Sequence, residues 1–124
     1  MLIVNETEAS LLSGQPVANI EDARHVGAIL HEHGIPTVVI TLGAQGSILV
    51  NSDPRGQTSI IYQAAEKVTV VDTTAAGDCF VGAFTVALTE GQSPTDALRF
   101  ATHASAIKVT RFGAQSGLPY RSDL

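Results

Sequence analysis

The unbroken run Thr37-Val-Val-Ile-Thr-Leu42 constrains this chain more than any other stretch. It is β-branched and lacks the apolar/polar alternation of a half-exposed strand, so the strand it forms has to be buried on both faces, as in a sheet covered by helices. Upstream, Leu2-Ile-Val4 is a second short apolar run, and it ends at the polar cluster Asn5-Glu-Thr-Glu8, where the chain turns. Between the two, Asn19 with Asp22 three residues on resembles a capping box, and Ala23, Val26 and Leu30 recur at helical spacing as far as Gly34, a C-terminal stop. Strand, helix and strand make one βαβ unit.

Further on, Ser47 to Val50 and Thr58 to Gln63 flank the turn-rich Asn51-Ser-Asp-Pro-Arg-Gly56, which predicts a hairpin. Val68 to Val71 is expected to form another strand, running into Asp72-Thr-Thr-Ala-Ala-Gly-Asp78. Phe80, Phe84 and Leu88 then recur at i+4 in a helix that stops at Gly91. Ser93-Pro94, with Asp96 behind it, starts a last helix on which Leu98, Ala101, Ser105 and Ala106 supply a packing face of small residues. This order predicts a mixed α/β sheet, and 124 residues leave room for one domain. A chain that opens in mid-strand reads as one that has lost earlier elements.

Seven Lys+Arg against twelve Asp+Glu give a formal charge of -5, and the only lysines are Lys67 and Lys108. No basic stripe is present, which argues against a nucleic-acid partner. No apolar run approaches the roughly twenty residues of a membrane span, the start lacks the pattern of a signal peptide, and the single cysteine, Cys79, fits a reducing compartment. The expected location is the cytoplasm, with no membrane partner. At 44% hydrophobic residues the chain is too apolar to be disordered.

In open α/β sheets, ligands gather beyond the carboxyl ends of strands, which singles out Asn5 to Glu8, Gly43 to Gly46 and Asp72 to Asp78. In the last, small residues at Ala75, Ala76 and Gly77 leave backbone N–H groups open at a helix start, a geometry that binds anions. The neighbouring Asp78 would repel an anion. It is explained either as a general base for a hydroxyl attacking a phosphoryl group or, with Asp72, Thr73 and Thr74, as an ordinary helix cap. No G-x-x-x-x-G-K-[ST] occurs and neither lysine lies in a glycine loop, so a P-loop mechanism is excluded. Phosphate charge falls to backbone dipoles, metal and Arg111. His31-Glu32-His33 does not share one helix face and reads as a solvated helix end, and His25 as a surface or packing residue. Cys79, at a helix start, is either a thiol of lowered pKa or a small packing residue.

The stretch Val71-Asp-Thr-Thr-Ala-Ala-Gly-Asp-Cys-Phe-Val-Gly-Ala-Phe84 resembles the C-terminal signature of the ribokinase, or PfkB-type, carbohydrate kinases. Asn5-Glu-Thr-Glu-Ala9 is similar to that family's Asn-x-x-Glu motif and Thr41-Leu-Gly-Ala-Gln-Gly46 to its nucleotide-site glycine turn, while Arg99-Phe-Ala101 and Val109-Thr-Arg111-x-Gly113-Ala-Gln115 follow the ribokinase branch. The resemblance implies a ribokinase-like three-layer α/β sandwich, of which residues 1–124 would be the C-terminal nucleotide-binding and catalytic portion of the large domain, without the N-terminal sugar-binding and lid elements. It implies ATP-dependent phosphorylation of a sugar's primary hydroxyl, D-ribose above all, with another PfkB-type sugar or nucleoside kinase, or a non-catalytic nucleotide-binding fragment, as alternatives.

Residue by residue, the resemblance makes Asp78 the base that meets the sugar and Ala75, Ala76 and Gly77 the anion hole. Asn5, Thr41, Gly43, Gly46 and Gly77 would hold ATP, with Thr102 where a histidine often lies against adenine and His103 one place later. Glu8 would order water on Mg2+. Asp72 and Thr74 on one loop, and Lys108, Arg111 and Gly113 on another, would hold K+ through backbone carbonyls. Ribokinases often carry a serine after Gly-Ala-Gln-x; here Ser116 is followed by Gly117, a departure at that side-chain ligand. The intact enzyme is expected to be K+-activated and to dimerise through its lid.

Overall fold

Strand β1 (Leu2–Asn5) lies parallel to β2 (Val38–Thr41), with Leu2 opposite Val38 and Asn5 opposite Thr41. β3 (Ser47–Ser52) and β4 (Thr58–Gln63) follow antiparallel, giving a four-stranded mixed sheet of order β1-β2-β3-β4. The structure is a computed structural model that describes residues 1–113 and 117–124. Val38, Val39 and Ile40 are all fully buried, so consecutive side chains on opposite faces of β2 are both covered, as its unbroken apolar run requires. β4, an outer strand, alternates exposed and half-buried positions.

Helix α1 (Glu6–Ser13) stands where the sequence suggested only a turn. Its start is a capping box: Asn5 Oδ1 accepts the Glu8 N–H at 2.8 Å and Glu8 Oε1 accepts the Asn5 N–H at 3.0 Å, and Gly14 ends it in the left-handed region. Helix α2 (Ile20–Glu32) is capped by Asn19, whose Oδ1 accepts the Asp22 N–H at 2.8 Å. The Asp22 carboxylate does not return to Asn19 but accepts from the Ala18 N–H at 2.9 Å, so the box is only half formed. Ala23, Val26 and Leu30 of α2 join Val4, Ala9, Val38, Ile40, Ile48 and Val50 in one core. His31 bonds the Ile35 carbonyl and the Ser52 hydroxyl, which fastens the helix end rather than a metal.

The structure divides into two compact units, Met1–Ala64 and Ala65–Leu124. The second holds α3 (Ala76–Thr89) and α4 (Pro94–Val109), packed on each other through Phe80, Phe84, Leu98 and Ala101. The expected strand at Val68 to Val71 does not form. A strand exists by pairing, and here the Val71 and Asp72 N–H groups both turn to the Val109 carbonyl at the end of α4, while Val70 and Val71 stay more than half exposed. No helix among the described residues is long and apolar enough to cross a membrane.

Where α2 crosses the sheet, a Cβ placed on Gly27 would stand 2.8 Å from Val50 Cγ2 and 2.9 Å from Ile48 Cδ1. Gly27→Ala is therefore expected to overpack this contact and lower stability by about 1–3 kcal/mol, read from urea unfolding; an unchanged midpoint would show that the helix shifts freely on the sheet.

Candidate functional site

In the first unit the parallel register sets Asn5 beside Thr41 at the carboxyl ends of adjacent strands. The Thr41 hydroxyl donates to the Val4 carbonyl at 3.4 Å and ties the two strands at this end. Past Thr41 the chain makes a tight turn: Gly43 and Gly46 have φ of 58° and 102°, values that favour glycine, and the Leu42 N–H donates to the Gly46 carbonyl at 2.8 Å. The Tyr62 hydroxyl donates to the Gln45 carbonyl and props the turn from β4. Asn5, Glu8, Thr41, Gly43 and Gly46 are thus gathered at one end of the sheet. The capping box spends one Glu8 oxygen on Asn5 and leaves the other without a partner among the described residues. No cluster of three His, Cys, Asp or Glu among those residues could cage a metal. A Mg2+ ion keeps several waters and is held mainly by substrate phosphates, so the free Glu8 oxygen could hold one of those waters.

The second unit holds the helix start expected to be an anion cradle, and Asp72 shapes the turn before it. Its Oδ1 accepts the Thr74 N–H at 2.9 Å, and its Oδ2 accepts the Gly113 N–H at 2.9 Å, 41 residues along the chain. The Thr74 hydroxyl, then the Thr74 and Gly113 N–H groups, hold its carboxyl down from an ordinary 3.8 to about 2. Beyond this turn Ala75 takes φ 62°, the only positive φ outside glycine among the described residues, a strain of roughly 1–2 kcal/mol. α3 starts there with no side-chain cap. The Ala76 N–H turns back to the Thr73 carbonyl at 3.1 Å, so it is spent, while those of Ala75, Gly77 and Asp78 have no partner among the described residues. Asp78 is exposed in the first turn and its carboxylate is likewise unpartnered among them. Nothing lies within 4 Å of a Cβ placed on Gly77, so the protein's own packing does not demand glycine there.

Several expected roles change. Thr102 is 8% exposed and its hydroxyl donates to the Leu98 carbonyl at 2.8 Å, so it is turned into the helix packing rather than toward a nucleotide. His103, its neighbour, pairs with Glu66 at 2.9 Å. The Arg111 guanidinium is spent on Asp123 at 3.1 Å and holds that carboxyl low. Cys79 is buried, which pushes its thiol up, against a reactive thiolate. Ala114, Gln115 and Ser116, part of the expected cation loop, lie outside the described residues.

The clearest departure concerns K+. The Lys108 side chain is fully buried, and its Nζ donates to the Asp72 carbonyl and the Arg111 carbonyl, each at 3.3 Å. Two of the carbonyls expected to hold a monovalent ion already hold an ammonium, so the residues present do not fit a free ion beside it. The sequence carried a signal for this. Ala97, Ala101, Ala104 and Lys108 recur along one face of α4, and the first three are buried, so the lysine lies on the inward stripe.

The model of the pfkB family carbohydrate kinase matches residues 1–121. The ribokinase of Haemophilus influenzae is 44% identical over 119 residues, which cover 96% of this chain and 37% of that protein. Among solved structures, Arabidopsis thaliana ribokinase complexed with ribose and ATP superposes at a TM-score of 0.84 with 38% identity, over 98% of this chain and 38% of that one. Phosphofructokinase-2 from Escherichia coli in complex with potassium superposes at 0.85 with 28% identity, over 98% and 38%. The chain thus spans well under half the length of these relatives, and the fold is that of the ribokinase-like α/β proteins.

Two outcomes follow from the second unit. Gly77→Ala is expected to stabilise the protein by about 0.5–1 kcal/mol in urea unfolding and to weaken pyrophosphate binding in calorimetry, since an added methyl would crowd an anion approaching the open N–H groups. A loss of both would mean that the glycine serves the fold. Because the Asp72 pKa is lower in the folded protein than in the unfolded chain, its contribution is complete above about pH 4 and fades as pH falls toward about 2. Acid unfolding of the wild type should therefore be steeper across this window than that of Asp72→Asn, and parallel curves would remove Asp72 from the account.

Proposed function

The chain belongs to the pfkB family of carbohydrate kinases, and on that premise we propose that it carries the C-terminal nucleotide-binding and phosphoryl-transfer portion of an ATP-dependent sugar kinase acting on D-ribose. One observation carries the reading: within the first turn of α3 an exposed carboxylate, Asp78, stands beside the N–H groups of Gly77 and Asp78, all three without a partner among the described residues. An anion cradle by itself has no use for an aspartate at its lip. A base beside a cradle is what an alcohol attacking a phosphoryl group needs.

In this reading the Asp78 carboxylate takes the proton of the primary hydroxyl as its oxygen bonds to the γ-phosphorus, the bond from that phosphorus to the bridging oxygen breaks, and ADP leaves. The N–H groups of Ala75 and Gly77 hold the transferring oxygens, and losing one such oriented donor costs about 3 kcal/mol of barrier. The strained Ala75 aims these groups before substrate arrives, so little reorganisation falls in the transition state. Asn5, Thr41, Gly43 and Gly46 would line the ATP side, and Glu8 would hold water of a Mg2+ ion. When bound, that ion neutralises phosphate charge that this cation-poor chain leaves unmatched. Ribose as acceptor is supported by the naming of the Haemophilus influenzae and Arabidopsis thaliana relatives.

Asp78→Asn in the intact enzyme is expected to lower kcat for ribose by about 10²–10⁴-fold with ATP affinity by calorimetry nearly unchanged. Near-normal turnover would remove Asp78 as the base.

A further inference from the structure

Lys108 lies in the last turn of α4, where a lysine ordinarily reaches out to solvent while its charge offsets the helix dipole. Here it is fully buried, and no carboxylate among the described residues forms an ion pair with it. A buried ammonium is tolerated only where oxygens replace its water, and the oxygens present are backbone carbonyls from two separate segments: Asp72, just ahead of the anion cradle, and Arg111, just past α4. Carbonyls converging on one buried positive charge are the chemistry of a monovalent cation site.

A second observation points the same way. A Cβ placed on Gly117 would fall 3.0 Å from Lys108 Cε, 3.1 Å from Lys108 Cδ and 2.5 Å from the Gly113 carbonyl oxygen. The lysine stem occupies the space that any side chain at position 117 would need, so a side-chain ligand to a free ion has no room there.

We propose that the Lys108 ammonium is the resident cation of this loop pair, a tethered charge standing where a free monovalent ion would otherwise bind, so that the protein neither binds nor requires potassium. Lys108 is a positioning residue: through Asp72 and Arg111 it fixes the turn that leads into Ala75 and Gly77. The activity arm of the test rests on the catalytic reading above, and the melting arm does not.

Thermal melting of this chain in potassium, sodium and choline chloride at equal ionic strength should superimpose. Lys108→Ala should melt lower in choline and recover by roughly 2–8 °C in potassium, a rescue that a merely structural loss would not show. A K+-specific rise in the wild type overturns the proposal, and so does a folded Lys108→Ala that ignores potassium. Should that variant fail to fold, the wild-type curves still decide. In the intact enzyme, equal ribose phosphorylation in potassium and sodium supports the proposal, and several-fold activation by potassium overturns it. An absence of turnover in every salt would instead strike the catalytic reading and leave the melting result standing.

Discussion

One carboxylate organises the second unit. Asp72 closes the turn before the cradle with one oxygen and reaches Gly113 with the other, so the loop after α4 and the loop before α3 are held by a single side chain. Its backbone carbonyl in turn accepts from Lys108. Without that junction the strained Ala75 would rest on the Ala76 N–H bond to the Thr73 carbonyl, the Cys79 N–H bond to the Ala75 carbonyl and the Ser105 hydroxyl bond to the Ala76 carbonyl, because α3 has no side-chain cap of its own. The helix start is open to a ligand for the same reason that it is costly to maintain: the groups that would satisfy it have been left out.

Composition foretold this economy. With seven Lys+Arg in 124 residues, and the Arg111 guanidinium already engaged by Asp123, recognition of a highly charged group would, on the proposed reading, fall to oriented peptide N–H groups. Such groups hold their direction without a cost in side-chain entropy.

Much of the first unit was legible in the sequence because hydrophobic periodicity and turn chemistry act locally. The Thr37 to Leu42 run, the Ala23, Val26, Leu30 stripe and the hairpin around Asp53 depend on neighbours a few residues away, and all appear where expected. The failures share a cause. Val68 to Val71 has strand composition but no strand to pair with among the described residues, and composition cannot supply one. α1 escaped notice because Asn5 and Glu8 were read as site residues, although the same spacing is a capping box. Thr102 and Lys108 depend on helix phase, where one position separates a side chain turned inward from its half-exposed neighbour His103. The motif marks the segment; the packing decides which of its atoms stay exposed.

The in-register pairing of β1 with β2 also makes the sheet a ruler for the proposed ATP side. Asn5 and Thr41 are opposite each other only because Leu2 meets Val38. A slip of one residue would displace Asn5, and the helix it caps, by about 3.3 Å along the strand and turn every buried side chain of β1 outward. Burial of the Val4 side chain therefore enforces the spacing between Asn5 and Thr41. Misalignment at this end of the sheet is penalised by burial, beyond what the single Thr41 hydroxyl bond to the Val4 carbonyl supplies.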